Sequence, residues 1–302
     1  MLSGILLVDK PTGPTSHGVV SATRKALGLK KVGHAGTLDP MASGLLTLGI
    51  GPGTKLLTYL VGADKRYLAT IRLGQSSSTD DAEGELSELA PAEALEAISE
   101  EMVRSGLQAM VGEIDQVPSS VSAIKVDGKR AYDRARAGED VTLAARKVTI
   151  YSIAVGEIRR DETVLDVQVD VHCSSGTYIR AIARDLGQKL GVGGHLTALR
   201  RTTVGPFDVE DALDVDDIAA DKLMSLADVA RQVMPSVNVT AAQTVELGHG
   251  KTIFLEPPGG VGKDAPVAAV DPTGRLVAIV SIESGRSRIL VGFPAEGGSA
   301  SD

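Results

Sequence analysis

Apolar residues along this chain recur at two spacings, and the switches between them mark the elements. The run "GILLV" at residues 4–8 predicts a short buried strand; Pro11 ends it because proline donates no ladder hydrogen bond. In "TSHGVVSATRKALG" the stripe Val19, Thr23, Ala26 and Leu27 has helical spacing, with Thr15 or Ser16 to cap its start and Gly28 to close it. The Gly-rich stretch "GHAGTLDPMASGLL" at residues 33–46 leads into the apolar run "LLTLGI". Residues 65–74, "KRYLATIRLG", alternate as a strand does. Residues 75–90 are polar and acidic and predict a solvated loop, and residues 92–111 predict a helix.

The second half is patterned more clearly. Asp127-Gly128 within "SAIKVDGKRAY" suits a type I′ hairpin turn. In "TVLDVQVDVHC" Leu165, Val167, Val169, Val171 and Cys173 share one face, and Asp166, Gln168, Asp170 and His172 share the other. "SSGTYIRAIARDLGQKLG" turns at Gly176 and becomes a helix buried along Ile179, Ile182, Ala183, Leu186 and Leu190. Beyond about residue 235, short strands alternate with Asp-Pro-Thr-Gly and Ser-Gly-Arg turns, which predicts a small β unit. The end, "AEGGSASD", predicts a disordered tail.

With 302 residues the chain has room for one large unit and a small one. Aromatics are 3% and Trp is absent, so aliphatic side chains must fill the core. No apolar run reaches the length of about 18 residues that a membrane helix needs, and no secretory signal is recognisable, so the cytoplasm is expected. The single cysteine, Cys173, excludes an internal disulfide. Net charge is −8, yet it is unevenly spread: residues 1–78 hold nine Lys or Arg against three Asp, and residues 79–101 hold nine acids and no base. Such asymmetry permits a basic face on an acidic protein.

Familiar nucleotide and metal motifs do not fit. "GIGPGTK" lacks the Gly-Lys-Ser/Thr ending of a phosphate-binding loop, and "GHGKT" has Val245 where the leading glycine belongs. The five histidines and one cysteine show no zinc-ligand spacing. Neither a nucleotide nor a metal cofactor is therefore expected.

Asp39 draws attention instead. An Asp before Pro in a Gly-rich stretch is ordinarily a turn former. Here Pro40 favours an extended Asp39, Gly33 and Gly36 permit close backbone approach, and Leu38, Met41, Leu45 and Leu46 make the surroundings apolar. A carboxylate in such a place needs a partner. Arg180 is one candidate: in the first turn of its helix the macrodipole disfavours a cation, and a carboxylate would offset that. A solvated arginine fits the local sequence equally well. Tyr67, on a strand, reads either as packing or as a working aromatic.

Six blocks run in order over roughly residues 5 to 205: "VDKPTGPTSHGVV", "GHAGTLDPMASGLL", "RYLATIRLG", "SAIKVDGKRAY", "CSSGTYIRAIARDLG" and "HLTALRRTTVG". Together they resemble the TruB family of tRNA pseudouridine synthases. The resemblance implies a mixed α/β (α+β) architecture, the pseudouridine synthase fold around a mainly antiparallel sheet, over residues 1–235. A small PUA-like β unit would follow over 236–294, then a tail over 295–302. It also implies conversion of the uridine at position 55, in the TΨC stem-loop of tRNA, to pseudouridine by base flipping.

Asp39 would be the nucleophile, Tyr67 the aromatic that stacks on the target base, and Arg180 the partner of the aspartate. Tyr178 and Leu199 would wall the base pocket, and His34 would fill the space left by the flipped uridine. Lys125, Lys129 and Arg130 around the hairpin are expected at the RNA backbone, although solvated charge is the usual fate of such residues. The implied enzyme is a monomer needing no cofactor, no metal, no membrane and no protein partner. Two rivals are a tRNA-binding protein without catalysis and a related synthase acting on another RNA with a guide RNA.

Overall fold

The computed structural model describes residues 2–119, the backbone at 125–126 and 129–130, and residues 144–294. Strand β1 (Gly4–Lys10) places Leu6, Val8 and Lys10 on one face and Ile5, Leu7 and Asp9 on the other. Helix α1 (Ser16–Leu27) begins where the Thr15 hydroxyl accepts from the Gly18 amide and stops at Gly28, which adopts the left-handed conformation at φ 64°. Then come β2 (Val32–Ala35), β3 (Ala42–Ile50), β4 (Lys65–Leu73), helix α2 (Glu100–Gln108) and β5 (Gly112–Gln116). Strands β6 (Arg146–Arg160) and β7 (Leu165–Cys173), helix α3 (Ile179–Leu190) and strand β8 (Gly194–Val204) complete the large layer.

The sheet order is β1-β3-β8-β4-β7-β6-β5, with β2 also on β3, Leu213–Asp214 beside β1 and Phe207–Asp208 on β8. Neighbours are antiparallel except β3 with β8 and β1 with Leu213–Asp214. This is the mixed α+β, mainly antiparallel architecture expected. The contact of β3 with β8 depends on Gly44. A Cβ there would lie 2.2 Å from the Arg201 carbonyl oxygen, and its φ is +103°. On one side of the sheet, β4 and β7 pack on α3 and α2 through Ile71, Val167, Ile182, Leu186 and Val103; α1 covers β1 and β3 through Val19 and Val20.

Three expectations need correction or extension. Residues 92–111 form two helices, Ala92–Glu96 and α2, because the Ser99 hydroxyl caps a new start by accepting from the Met102 amide. The 15-residue strand β6 lacks clean alternation because two irregularities shift its register against β7, which hid it in the sequence. The acidic stretch 75–90 is not wholly solvated: Asp80 and Asp81 are buried, and Asp81 bridges Leu196 of β8.

Past helix α4 (Leu226–Val233) a second sheet holds β9 (Ser236–Asn238), β10 (Val267–Val270), β11 (Leu276–Glu283) and β12 (Arg286–Gly292) in that order. Helix α5 (Ala241–Gly248) packs on it. One face of this sheet, with Ala268, Val270, Leu276 and Ile279, shares a core with Ile5, Leu7 and Leu45 of the large sheet. The short strands Lys125–Val126 and Lys129–Arg130 pair antiparallel, with Lys125 opposite Arg130; the Asp127-Gly128 turn and the tail 295–302 lie outside the described residues. No helix among the described residues is long and apolar enough to cross a membrane.

Candidate active site

Asp39 occupies the first position of a tight turn in which the Ala42 amide donates to the Asp39 carbonyl at 3.1 Å, with Pro40 second. Both readings of this residue therefore hold: it forms a turn and it carries an ion pair. Its backbone is fixed from several sides. The Ser16 hydroxyl donates to the Leu38 carbonyl at 2.9 Å and accepts from the Leu38 amide at 2.8 Å, and the Gly13 amide donates to the Pro40 carbonyl at 2.8 Å. Arg201 of β8 is buried and donates to the carbonyls of Gly36 (3.1 Å) and Leu45 (2.7 Å), one on each side of the turn.

Arg180 reaches this loop from the first turn of α3. Its Nη2 lies 3.0 Å from Asp39 Oδ2, and its Nη1 donates to Asp81 Oδ2 and the Thr79 carbonyl, both at 2.9 Å. The Arg180 side chain is 5% exposed and that of Asp81 3%, whereas Asp39 keeps 39% of its surface open. The guanidinium is thus a buried fork, and the outer carboxylate is the one a substrate can reach. The α3 start has no side-chain cap at Tyr178; instead buried Gln116 of β5 accepts from the Tyr178 amide (2.7 Å) and donates to its carbonyl (3.1 Å). That reciprocal pair fixes the backbone two residues before Arg180.

Crowding dominates the acidity of Asp39. Loss of hydration pushes its carboxyl above the usual carboxylate value, Asp81 adds to the rise, and Arg180 and Lys10 oppose it. Lys10, on the inward face of β1, donates to the carbonyls of Pro11 and Pro14 at 2.9 Å each. Burial lowers its pKa to about 8, although Asp39 and Glu83 pull the other way. Tyr67 points inward from β4, buried, with Arg201 at its hydroxyl; burial pushes its pKa up, so the phenol is neutral at physiological pH. Lys65, two residues before it, also points inward, donates to the carbonyls of Val61 and Ala63, and is lowered to about 8 by burial.

Leu199 and His34 are placed on strands of the same sheet. Leu199 sits between Ala42 of β3 and Ala69 of β4 and packs into both core clusters beside Met41. With Met41 it also borders a groove of about 640 Å³ whose Leu68, Thr70, Gln168 and Asp170 alternate onto the sheet face opposite Tyr67. His34 lies on β2, half-buried, its ring edge-on to exposed His17 with centroids 5.4 Å apart. The side chains of Lys125, Lys129 and Arg130 lie outside the described residues.

Sequence reasoning missed Asp81, Lys10 and Arg201. Lys10 was readable, since it continues the inward series Leu6, Val8. Arg201 likewise follows inward Leu199 at strand spacing. Asp81 gave no signal, because an acid in an acidic run looks solvated.

Residues 24–294 are matched by three family models. Residues 24–179 match the model described as TruB family pseudouridylate synthase (N terminal domain). Residues 180–236 match the tRNA pseudouridylate synthase B C-terminal domain, and residues 234–294 match tRNA Pseudouridine synthase II, C terminal. The tRNA pseudouridine synthase B of Leifsonia xyli subsp. xyli is 51% identical over 298 residues, covering 97% of each chain. That of Thermobifida fusca is 50% identical over 298 residues, covering 97% of this chain and 99% of its own. Among solved structures, a chain of a Cbf5-Nop10-Gar1 complex superposes with a TM-score of 0.70 at 27% identity, covering 97% of this chain and 84% of that one. A chain of an H/ACA RNP bound to a substrate RNA containing 2'-deoxyuridine gives 0.72 at 25%, covering 97% and 86%. The chain belongs to the TruB family of pseudouridylate synthases.

Proposed function

We propose that the protein isomerises the uridine at position 55 in the TΨC arm of tRNA to pseudouridine, with Asp39 as the attacking carboxylate. The observation that carries this reading is the half-open Asp39 carboxylate held 3.0 Å from the buried Arg180 guanidinium. The reaction breaks the bond from ribose to N1, which takes up a proton, and rejoins the ribose at C5, which gives one up, so that product and substrate are isomers. It conserves redox state, and a positioned carboxylate suffices in principle. That carboxylate can attack C6 of uracil, bond to C1′ of ribose, or take the 2′ proton to give a glycal; each route starts from ionised Asp39.

Flipping the nucleotide out of its stack costs a few kcal/mol, which the pocket must recover. Stacking on an aromatic face such as that of Tyr67 recovers about 1–3 kcal/mol. Tyr178 and Leu199 then wall the detached uracil, His34 fills the vacated place in the RNA, and neutral Tyr67 is placed to relay a proton. In this reading residues 1–235 carry the chemistry and residues 236–294 are an appended β unit. The basic residues of the 125–130 hairpin meet phosphates. The enzyme acts in the cytoplasm as a stand-alone monomer. Full-length similarity to relatives named tRNA pseudouridine synthase B favours a tRNA substrate over guide-RNA targeting. The ion pair at Asp39 favours an enzyme over a binding protein that has lost catalysis.

The test is to incubate the protein with an unmodified tRNA transcript and map pseudouridine by carbodiimide-dependent primer extension. A new stop one nucleotide 3′ of position 55 is expected. A stop elsewhere, or none, overturns the assignment.

A further inference from the structure

Two acids stand side by side in the loop between β4 and α2, and two arginines stand one turn apart on α3. Asp81 takes Arg180 and Asp80 takes Arg184, whose Nη1 lies 3.2 Å from Asp80 Oδ2. Residues four apart on a helix are neighbours, so two bare arginines there would repel each other, and the first turn of a helix disfavours the cation of Arg180 as well. The interleaved acids remove both problems. Asp80 is buried and adopts the left-handed conformation at φ 61°, which Asp tolerates better than most residues. With Asp80 in that conformation, the two adjacent carboxylates reach different arginines.

Further bonds lock the same loop. The Leu196 amide donates to the Asp80 carbonyl at 3.0 Å, and the Ser119 hydroxyl to the Thr79 carbonyl at 3.1 Å. Arg184 Nη2 donates to the Val117 carbonyl at 2.8 Å, and its Nε to Asp185 at 2.8 Å. Arg184 therefore ties α3, the Asp80 loop and the exit of β5 together at one point. The Thr79 carbonyl and Asp81, which flank Asp80, both accept from Nη1 of Arg180.

We propose that Asp80 and Arg184 are positioning residues for the isomerisation: their ion pair fixes the loop that aims Arg180, and through it Asp39. This rests on the reading of Asp39 given above. Loosening the pair lets the Arg180 fork shift. A misplacement of about an ångström is enough to slow a chemical step strongly. Neither residue lies among those assigned to RNA contact, so the loss belongs in kcat and not in KM.

The experiment compares wild type with Asp80→Asn, Arg184→Gln, their double variant, Arg184→Lys and Asp39→Ala on a tRNA transcript. Asn shares the tolerance of Asp for a positive φ, so Asp80→Asn removes charge without straining the backbone. Each single loss of charge is expected to lower kcat about 10-fold, with KM for tRNA within about two-fold of wild type. The double variant should lose no more than the worse single one, because the pair acts as a unit. Arg184→Lys, which keeps the charge, should recover at least half of wild-type kcat. Wild-type kcat in Asp80→Asn and Arg184→Gln, with Asp39→Ala inactive, overturns the positioning role and leaves the reading of Asp39 intact. A rise in KM with kcat unchanged, or losses that Arg184→Lys does not rescue, overturns it equally. Activity in Asp39→Ala overturns the reading of Asp39 itself.

Discussion

Asp39 sits among charges whose effects on it conflict: crowding and Asp81 make its proton harder to lose, whereas Arg180 and Lys10 make it easier. Because the ionised form does the attacking, activity disappears as pH falls through the pKa of Asp39 in the folded enzyme. That value lies above the ordinary 3.8. Removing the largest opposing cation, in Arg180→Met, should move the acid limb of the kcat profile to higher pH. On the basic side Lys10 loses its charge as pH rises through about 8, and with it a cation that bonds two carbonyls beside the Asp39 turn. The profile should therefore fall above about 8, and Lys10→Arg, which stays charged, should push that limb upward. Profiles of kcat at saturating tRNA, taken from acid to alkaline pH, read both limbs; limbs that stay put in the two variants contradict this electrostatic account. At this scale the sequence revealed Asp39 through its apolar neighbours and Arg180 through its awkward place at a helix start. Their pairing was not readable, because it joins residues 141 positions apart, and spacing carries no information over that distance.

Elements differed in how plainly they showed. Strand β7 alternates without interruption, and its five inward side chains, from Leu165 to Cys173, are buried as expected. Each full burial of a Leu or Val contributes about 1.5–3 kcal/mol, an upper bound because unfolded chains already bury some surface. Helix α3 likewise buries Ile179, Ile182, Ala183 and Leu186 of the predicted stripe, while Leu190 in its last turn is only half-buried. Strand β6 was invisible because its bulges break the period, and the loop carrying Asp80 and Asp81 looked solvated because its burial depends on arginines about 100 residues away. The parallel contact of β3 with β8, which brings Leu199 and Arg201 beside the Asp39 turn, gave no local signal beyond Gly44. Gly44→Ala should cost about 2–4 kcal/mol, since the added methyl would meet the Arg201 backbone and the positive φ adds strain. Denaturant unfolding measures this; a loss under about 0.5 kcal/mol would show that the two strands are not so tightly apposed.

For the molecule as a whole, a net charge of −8 coexists with a proposed RNA substrate because the charge is divided. Four of the nine acids in residues 79–101 illustrate this from the structure: Asp80 and Asp81 pair inward with arginines, and Glu100 and Glu101 lie exposed on α2. Replacing Lys125, Lys129 and Arg130 by Gln should weaken tRNA binding and reduce the slope of log Kd against log salt by about 2. The single-turnover rate at saturating tRNA should be unchanged. A slope equal to that of wild type over a salt series would remove this hairpin from the interface. The second sheet was legible as a small β unit from its turns, but the core it shares with β1 and β3 was not, since apolar residues do not declare their partners.

The central claim is that the carboxylate of Asp39 starts the isomerisation, and C5 of the target uridine is where it is read most directly. With tRNA tritiated at uracil C5, single-turnover release of tritium into water should proceed to one equivalent per target uridine with wild type. With Asp39→Asn, which keeps size and loses the charge, release should slow by roughly 10³-fold or more while tRNA affinity stays within about two-fold. Release by Asp39→Asn at the wild-type rate would contradict the account.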